Sequence, residues 1–133
     1  MVFEVKSNTQ YNVAAVKVHY SPEPYTRERD IYQRLRDCEV TDLRGFEVPM
    51  LLHFDDELLA LQMTIVTAPF VLDFAGAYLD FPPSFSNDVW EQWTMRSVEQ
   101  FGPDWALAQI ILADLRDLGI HMHDPTPSNI RFR

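Results

Sequence analysis

Cysteine, glycine and lysine are all scarce in this sequence of 133 residues, and each scarcity excludes something. The single cysteine, Cys38, excludes an internal disulfide framework and a four-cysteine zinc site. It suits a reducing compartment, so a cytoplasmic location is expected, and it reads as a small buried residue near a helix end. No long apolar run is present: the longest uncharged stretch in the middle, Leu58 to Leu72, is broken by Gln62 and Pro69 and falls short of the ~20 residues a membrane helix needs. Glu4, Lys6 and Asn8 occupy the place of a signal-peptide apolar region, so neither a leader nor a membrane partner is expected. Basic residues number 11 against 20 acidic ones, and the net charge of −9 would repel a phosphate backbone, which excludes nucleic acid as a partner.

What is present is an ordinary globular composition, with 47% hydrophobic, 13% aromatic and 23% charged residues. The length suits one domain, 1–133, read as a sheet-plus-helix portion (1–68) and a helical portion (69–133). Nine prolines and four glycines punctuate it into blocks without repeats.

Tyr11 to Tyr20 alternates as a strand, with Val13, Ala15, Lys17 and His19 on one face. Beyond Pro22 and Pro24, Thr26 is expected to cap a helix to about Arg36 that places Glu28, Tyr32 and Leu35 on one stripe. Pro49–Phe54 and Leu58–Val66 predict an antiparallel hairpin whose acidic tip, Asp55 to Glu57, is solvated. A short helix is expected over Leu72–Leu79, and a longer one from Asp88 with Glu91 completing a capping box. The clearest helix is Pro103 to Leu118, with Trp105, Ala108, Ile111, Leu112, Leu115 and Leu118 as its buried stripe. Trp90, Trp93 and Trp105 fall on helical stripes and are expected in the core.

Two features carry chemistry. A glutamate on the inner stripe of a helix must meet a cation to offset its desolvation, and Lys17, one of only two lysines, lies on the inner face of the preceding strand. Glu28 and Lys17 are therefore expected within salt-bridge distance. Further on, Gly119 to Ile130 follows a strongly amphipathic helix and sets Asp124 five residues before Asn129. His121, His123 and Asp124 there also suit a transition metal, whose further ligand would have to come from His19, His53, Cys38 or distant carboxylates.

Taken together, Val13-Ala14-Ala15-Val16-Lys17, the helix around Glu28 and the Asp124/Asn129 loop resemble, in order and spacing, the middle of a protein kinase or aminoglycoside-phosphotransferase-like domain. The resemblance implies an α+β, partial protein-kinase-like fold: a small antiparallel sheet with one helix, an extended hinge near Thr67 to Val71, then a mainly helical half. It implies that Ala15 packs on adenine, that Lys17, held by Glu28, binds the nucleotide phosphates, that Asp124 orients the substrate hydroxyl and that Asn129 binds metal, with ATP and magnesium as ligands.

The departures are as specific. Residues 1–16 contain no glycine, so the glycine-rich phosphate lid is missing, and no Asp-Phe-Gly follows the loop. The usual His-Arg-Asp reads Met122-His123-Asp124, and Thr126 stands where many kinases have lysine. These changes point to a pseudokinase-type binding or regulatory module with weak or no phosphotransfer. The alternatives are an active ATP-dependent phosphotransferase completed by a homodimer or by substitute metal ligands, and an interaction module for a protein partner that has kept only the scaffold.

Overall fold

β-Branched alternation and well-placed prolines build the N-terminal half around a twisted antiparallel sheet. The computed structural model describes residues 2–6, 13–74, 76–123 and 125–133, with side chains from residue 14 onward. Strands β1 (Val2–Lys6), β2 (Val13–Val18), β5 (Leu51–Asp55) and β6 (Ala60–Thr64) form this sheet in the order β1-β2-β6-β5, every pair antiparallel. The register sets Ala15 opposite Met63 and Lys17 opposite Leu61. The hairpin β5–β6 is the one the sequence predicts, with a register irregularity between Leu51 and His53. Of the expected strand, residues 11 and 12 lie outside the described part.

Helix α1 (Pro22–Asp37) follows β2 and begins four residues before Thr26, with Ser21 as its N-cap. The prolines sit in the first turn, where a missing N–H removes no intrahelical bond, so they open this helix instead of delaying it. Its buried stripe, Tyr25, Glu28, Ile31, Tyr32 and Leu35, contains the three residues read from the spacing. Cys38 caps its C-terminal end and is exposed, not buried: the helix terminates there and the chain turns outward through Glu39 at positive φ.

A second small sheet joins β3 (Asp42–Leu43), β4 (Phe46–Glu47), β7 (Phe70–Val71) and β10 (Ile130–Arg131) in the order β10-β7-β4-β3, with β4 and β7 parallel. A two-stranded antiparallel ladder pairs β8 (Ala77–Leu79) with β9 (Ile120–Met122). The helix expected over Leu72–Leu79 is therefore not formed. Its apolar residues are spent on two ladders, and Asp73 at φ 70° breaks the helical run between them.

Helix α2 (Asn87–Phe101) is capped by Ser86, whose hydroxyl accepts a hydrogen bond from the Val89 N–H, so the capping residue lies two positions earlier than Asp88 and Glu91 completes no box. Pro103 belongs to a 3-10 turn (Gly102–Asp104), and α3 (Trp105–Asp117) follows it. Ala108, Ile111, Leu112 and Leu115 are buried as the stripe requires, while the three tryptophans are only half-buried. The core runs from Tyr32 and Leu35 of α1 through Phe74, Ile111, Leu115 and Ile120 to Ile130. Tyr32 and Phe74 meet edge to face at 5.3 Å, fastening α1 to the segment between β7 and β8. Among the described residues no helix is long and apolar enough to cross a membrane.

Candidate functional site

The strand β2 and the helix α1 deliver one ion pair to the centre of the molecule. Glu28 is fully buried and its carboxylate is met from three sides. Lys17 Nζ and His19 Nε2 each lie 2.9 Å from Oε1, and the Phe74 backbone N–H donates to Oε2 at 2.7 Å. A buried carboxylate requires such partners, and here they come from three parts of the chain. The Lys17–Glu28 pair expected from the strand and helix faces is formed.

Lys17 has a second carboxylate, Asp73, whose Oδ1 lies 2.9 Å from Nζ. The Glu28–Phe74 hydrogen bond fixes the backbone beside Asp73, and the residue adopts a left-handed conformation that aspartate tolerates better than most. Asp73 Oδ2 in turn accepts a long, 3.4 Å hydrogen bond from Asn129 Nδ2. Asp73 thus bridges the two sequence-predicted residues Lys17 and Asn129.

The orientation of Asn129 is decided by Thr126. The Thr126 N–H donates to Asn129 Oδ1 at 2.8 Å and the Thr126 hydroxyl to the same oxygen at 3.1 Å. A backbone N–H can only donate, so the amide oxygen faces Thr126 and the amide nitrogen faces Asp73. In this orientation, of the pair Asp73 and Asn129, only Asp73 has an oxygen not committed to Thr126, so the pair does not fit a two-residue magnesium site without rotation of the Asn129 amide. The backbone follows the same path: Leu72 N–H donates to the Asn129 carbonyl at 2.9 Å, and β10 continues as the partner of β7. Asp124 lies outside the described residues.

Next to Lys17 a cavity of about 320 Å³ opens between the first sheet and the 65–73 segment. Ala15, Met63, Ile65, Val66, Phe70 and Leu72 give it apolar walls, and Lys17 and Asp73 stand at its charged end. It joins apolar walls to the Lys17 ammonium and its Asp73 carboxylate partner.

Burial by itself works against the Lys17 ammonium, but the charge and hydrogen bond of Glu28, with Asp73 adding to them, overcome it and hold the Lys17 pKa above its ordinary value. Tyr32, which also lines the cavity, has its phenol pushed well above its usual range, chiefly by burial and then by the charge of Glu28. Lys17 is therefore a firmly charged cation at neutral pH, shared between the Glu28 and Asp73 carboxylates.

Asp73 and His19 were not legible as site residues from spacing. Asp73 had one signal: it is the lone charge between Leu58 and Leu79, and an isolated carboxylate in apolar surroundings needs a partner. Among the described residues no group of three or more histidines, cysteines or carboxylates could hold a metal ion, and the His123 ring instead packs on Tyr78, Phe85 and Trp93. Comparison with protein-family models, curated proteins and solved structures found no match.

Proposed function

We propose that this chain is a kinase-like nucleotide-binding or regulatory module with weak or no phosphotransfer of its own. The observation that carries the reading is the Lys17 ammonium, held by a fully buried Glu28 at the end of an apolar slot walled by Ala15 and Met63. A nucleotide base suits the slot, and its phosphates suit the ammonium. The bond of Lys17 to Asp73 supports the regulatory form of the reading: a phosphate must displace that carboxylate to reach Lys17, which weakens binding. The orientation of Asn129 supports it further, since its oxygen is committed to Thr126.

A second reading, an ATP-dependent phosphotransferase completed by a substitute ligand, is favoured by the position of Asp73 beside Asn129. In that reading Asp73 supplies a metal-binding carboxylate after the Asn129 amide rotates. Calorimetric titration with ATP, with and without magnesium, separates the two. The regulatory reading expects saturable binding that is lost in Lys17→Met and in Ala15→Leu, which fills the slot while leaving the ion pair in place, and tighter magnesium-free binding in Asp73→Asn. Magnesium-dependent phosphoryl transfer abolished by Asp124→Asn would establish the second reading. Absence of heat at millimolar ATP, with the fold intact by circular dichroism, would overturn both.

A further inference from the structure

A second cavity, which shares no lining residue with the first, lies between α2, α3 and the end of β9, with a volume of about 260 Å³. All three tryptophans of the chain, Trp90, Trp93 and Trp105, line it. Their rings are held by aromatic neighbours: Trp90 and Trp93 meet edge to face at 5.2 Å, Phe85 meets Trp93 at 4.8 Å, and Phe101 stacks on Trp105 at 5.8 Å. Half-buried indoles held in this way present rigid aromatic surface to whatever enters.

The polar part of the lining is equally specific. Ser97, only 2% exposed, lines the cavity among the indoles. Arg116, an exposed residue, also lines the cavity. Arg29, Arg34, Arg44 and Arg133 are each paired with a carboxylate, whereas Arg116 has no such partner among the described residues, in a chain of net charge −9. An uncompensated guanidinium beside three indoles disfavours a quaternary ammonium guest and leaves a neutral sugar with nothing to neutralise it.

We propose that this cavity binds a small planar aromatic carboxylate. The ring lies against the indoles, the carboxylate takes the paired N–H groups of Arg116, and the Ser97 hydroxyl supplies a hydrogen bond from the buried side. At ~30 Å³ per water-sized group the volume accommodates roughly nine such groups, the size of benzoate.

Because every tryptophan faces the cavity, intrinsic fluorescence of the full chain reports its occupancy directly. Titration with benzoate is expected to give a saturable change. Benzamide, which has the same shape without the charge, should bind about tenfold more weakly or worse, and so should benzoate to Arg116→Gln. Arg116→Lys should fall between Arg116→Gln and the parent chain. Arg116 is exposed, so these variants keep the fold. No saturable change with benzoate overturns the proposal. Equal affinity for benzamide, unchanged affinity in Arg116→Gln, or stronger binding of benzyltrimethylammonium overturns it too.

Discussion

Lys17 Nζ lies 2.9 Å from Asp73 Oδ1 across 56 residues of sequence, while the same ammonium lies 2.9 Å from Glu28 Oε1. The two carboxylates are not equivalent, because the Glu28 side chain is 0% exposed and that of Asp73 is 46% exposed. Removing the cation leaves a buried carboxylate without its lysine partner, so Lys17→Met is expected to destabilise the fold by roughly 3 kcal/mol. Asp73→Asn removes a half-exposed charge at a φ that asparagine accepts, and should change stability by less than about 1 kcal/mol. Urea unfolding of both variants checks this, and equal costs would contradict the assignment of Glu28 as the structural partner.

The same pair sets a pH dependence. Despite the opposing effect of burial, Glu28 and Asp73 raise the folded-state pKa of Lys17 above its ordinary 10.5. A raised lysine pKa contributes stability that is fully present below the unfolded-state value and is lost as pH rises through the folded-state value. The unfolding free energy should therefore decline at strongly alkaline pH. Tyr25 and Tyr32 are shifted upward too and contribute a decline of the same sign, but they remain in Lys17→Met. The parent chain should lose stability more steeply than Lys17→Met over that range, and identical slopes would contradict the argument.

The strand β2, the inner stripe of α1 and the β5–β6 hairpin were legible because each depends on a local period of burial, two residues or three to four. The Lys17–Glu28 pair followed, since it joins two faces already identified. The segment from Leu72 to Leu79 was not legible. Its apolar residues fit either period, and the decision was made by distant partners: β10 pairing with β7, β9 pairing with β8, and Glu28 accepting from Phe74. Asp73 owes its place in the site to those contacts, which explains why its role could not be read locally.

The acidic hairpin tip is more than a solvated turn. The Tyr25 hydroxyl donates to Asp56 Oδ1 at 2.7 Å, and Arg29 Nη1 donates to the same oxygen at 2.8 Å, so α1 is tied to the β5–β6 turn. Burial first, and then the Asp56 hydrogen bond, push the Tyr25 phenol up to about 12. Spectrophotometric titration of the parent chain minus Tyr25→Phe should isolate one tyrosine with its midpoint about two units above the usual ~10. The variant should lose roughly 0.5–1 kcal/mol with the hydrogen bond. A Tyr25 midpoint near the usual value would show that the hydroxyl is not held by Asp56.

Gly119, between α3 and β9, is the glycine that the packing constrains most. Its φ of +82° lies in the left-handed region, its N–H donates to the Arg116 carbonyl, and its own carbonyl accepts from Asp80 N–H at 2.6 Å. A Cβ there would stand 2.5 Å from Arg34 Nη1 and 2.6 Å from Asp80 Oδ1, displacing an ion pair that also ties α1 to the Leu118 carbonyl through Arg34. Gly76 differs on both counts, since it has no positive φ and its Cβ would meet nothing within 4 Å. Gly119→Ala is therefore expected to destabilise the fold by roughly 2 kcal/mol, from backbone strain plus the lost Arg34–Asp80 contact. Gly76→Ala should stay within about 0.5 kcal/mol of the parent or stabilise it slightly by stiffening the unfolded chain. Thermal unfolding of the two variants side by side decides the matter. A Gly119→Ala protein as stable as Gly76→Ala would mean that the turn between α3 and β9 relaxes without disturbing the Arg34–Asp80 latch.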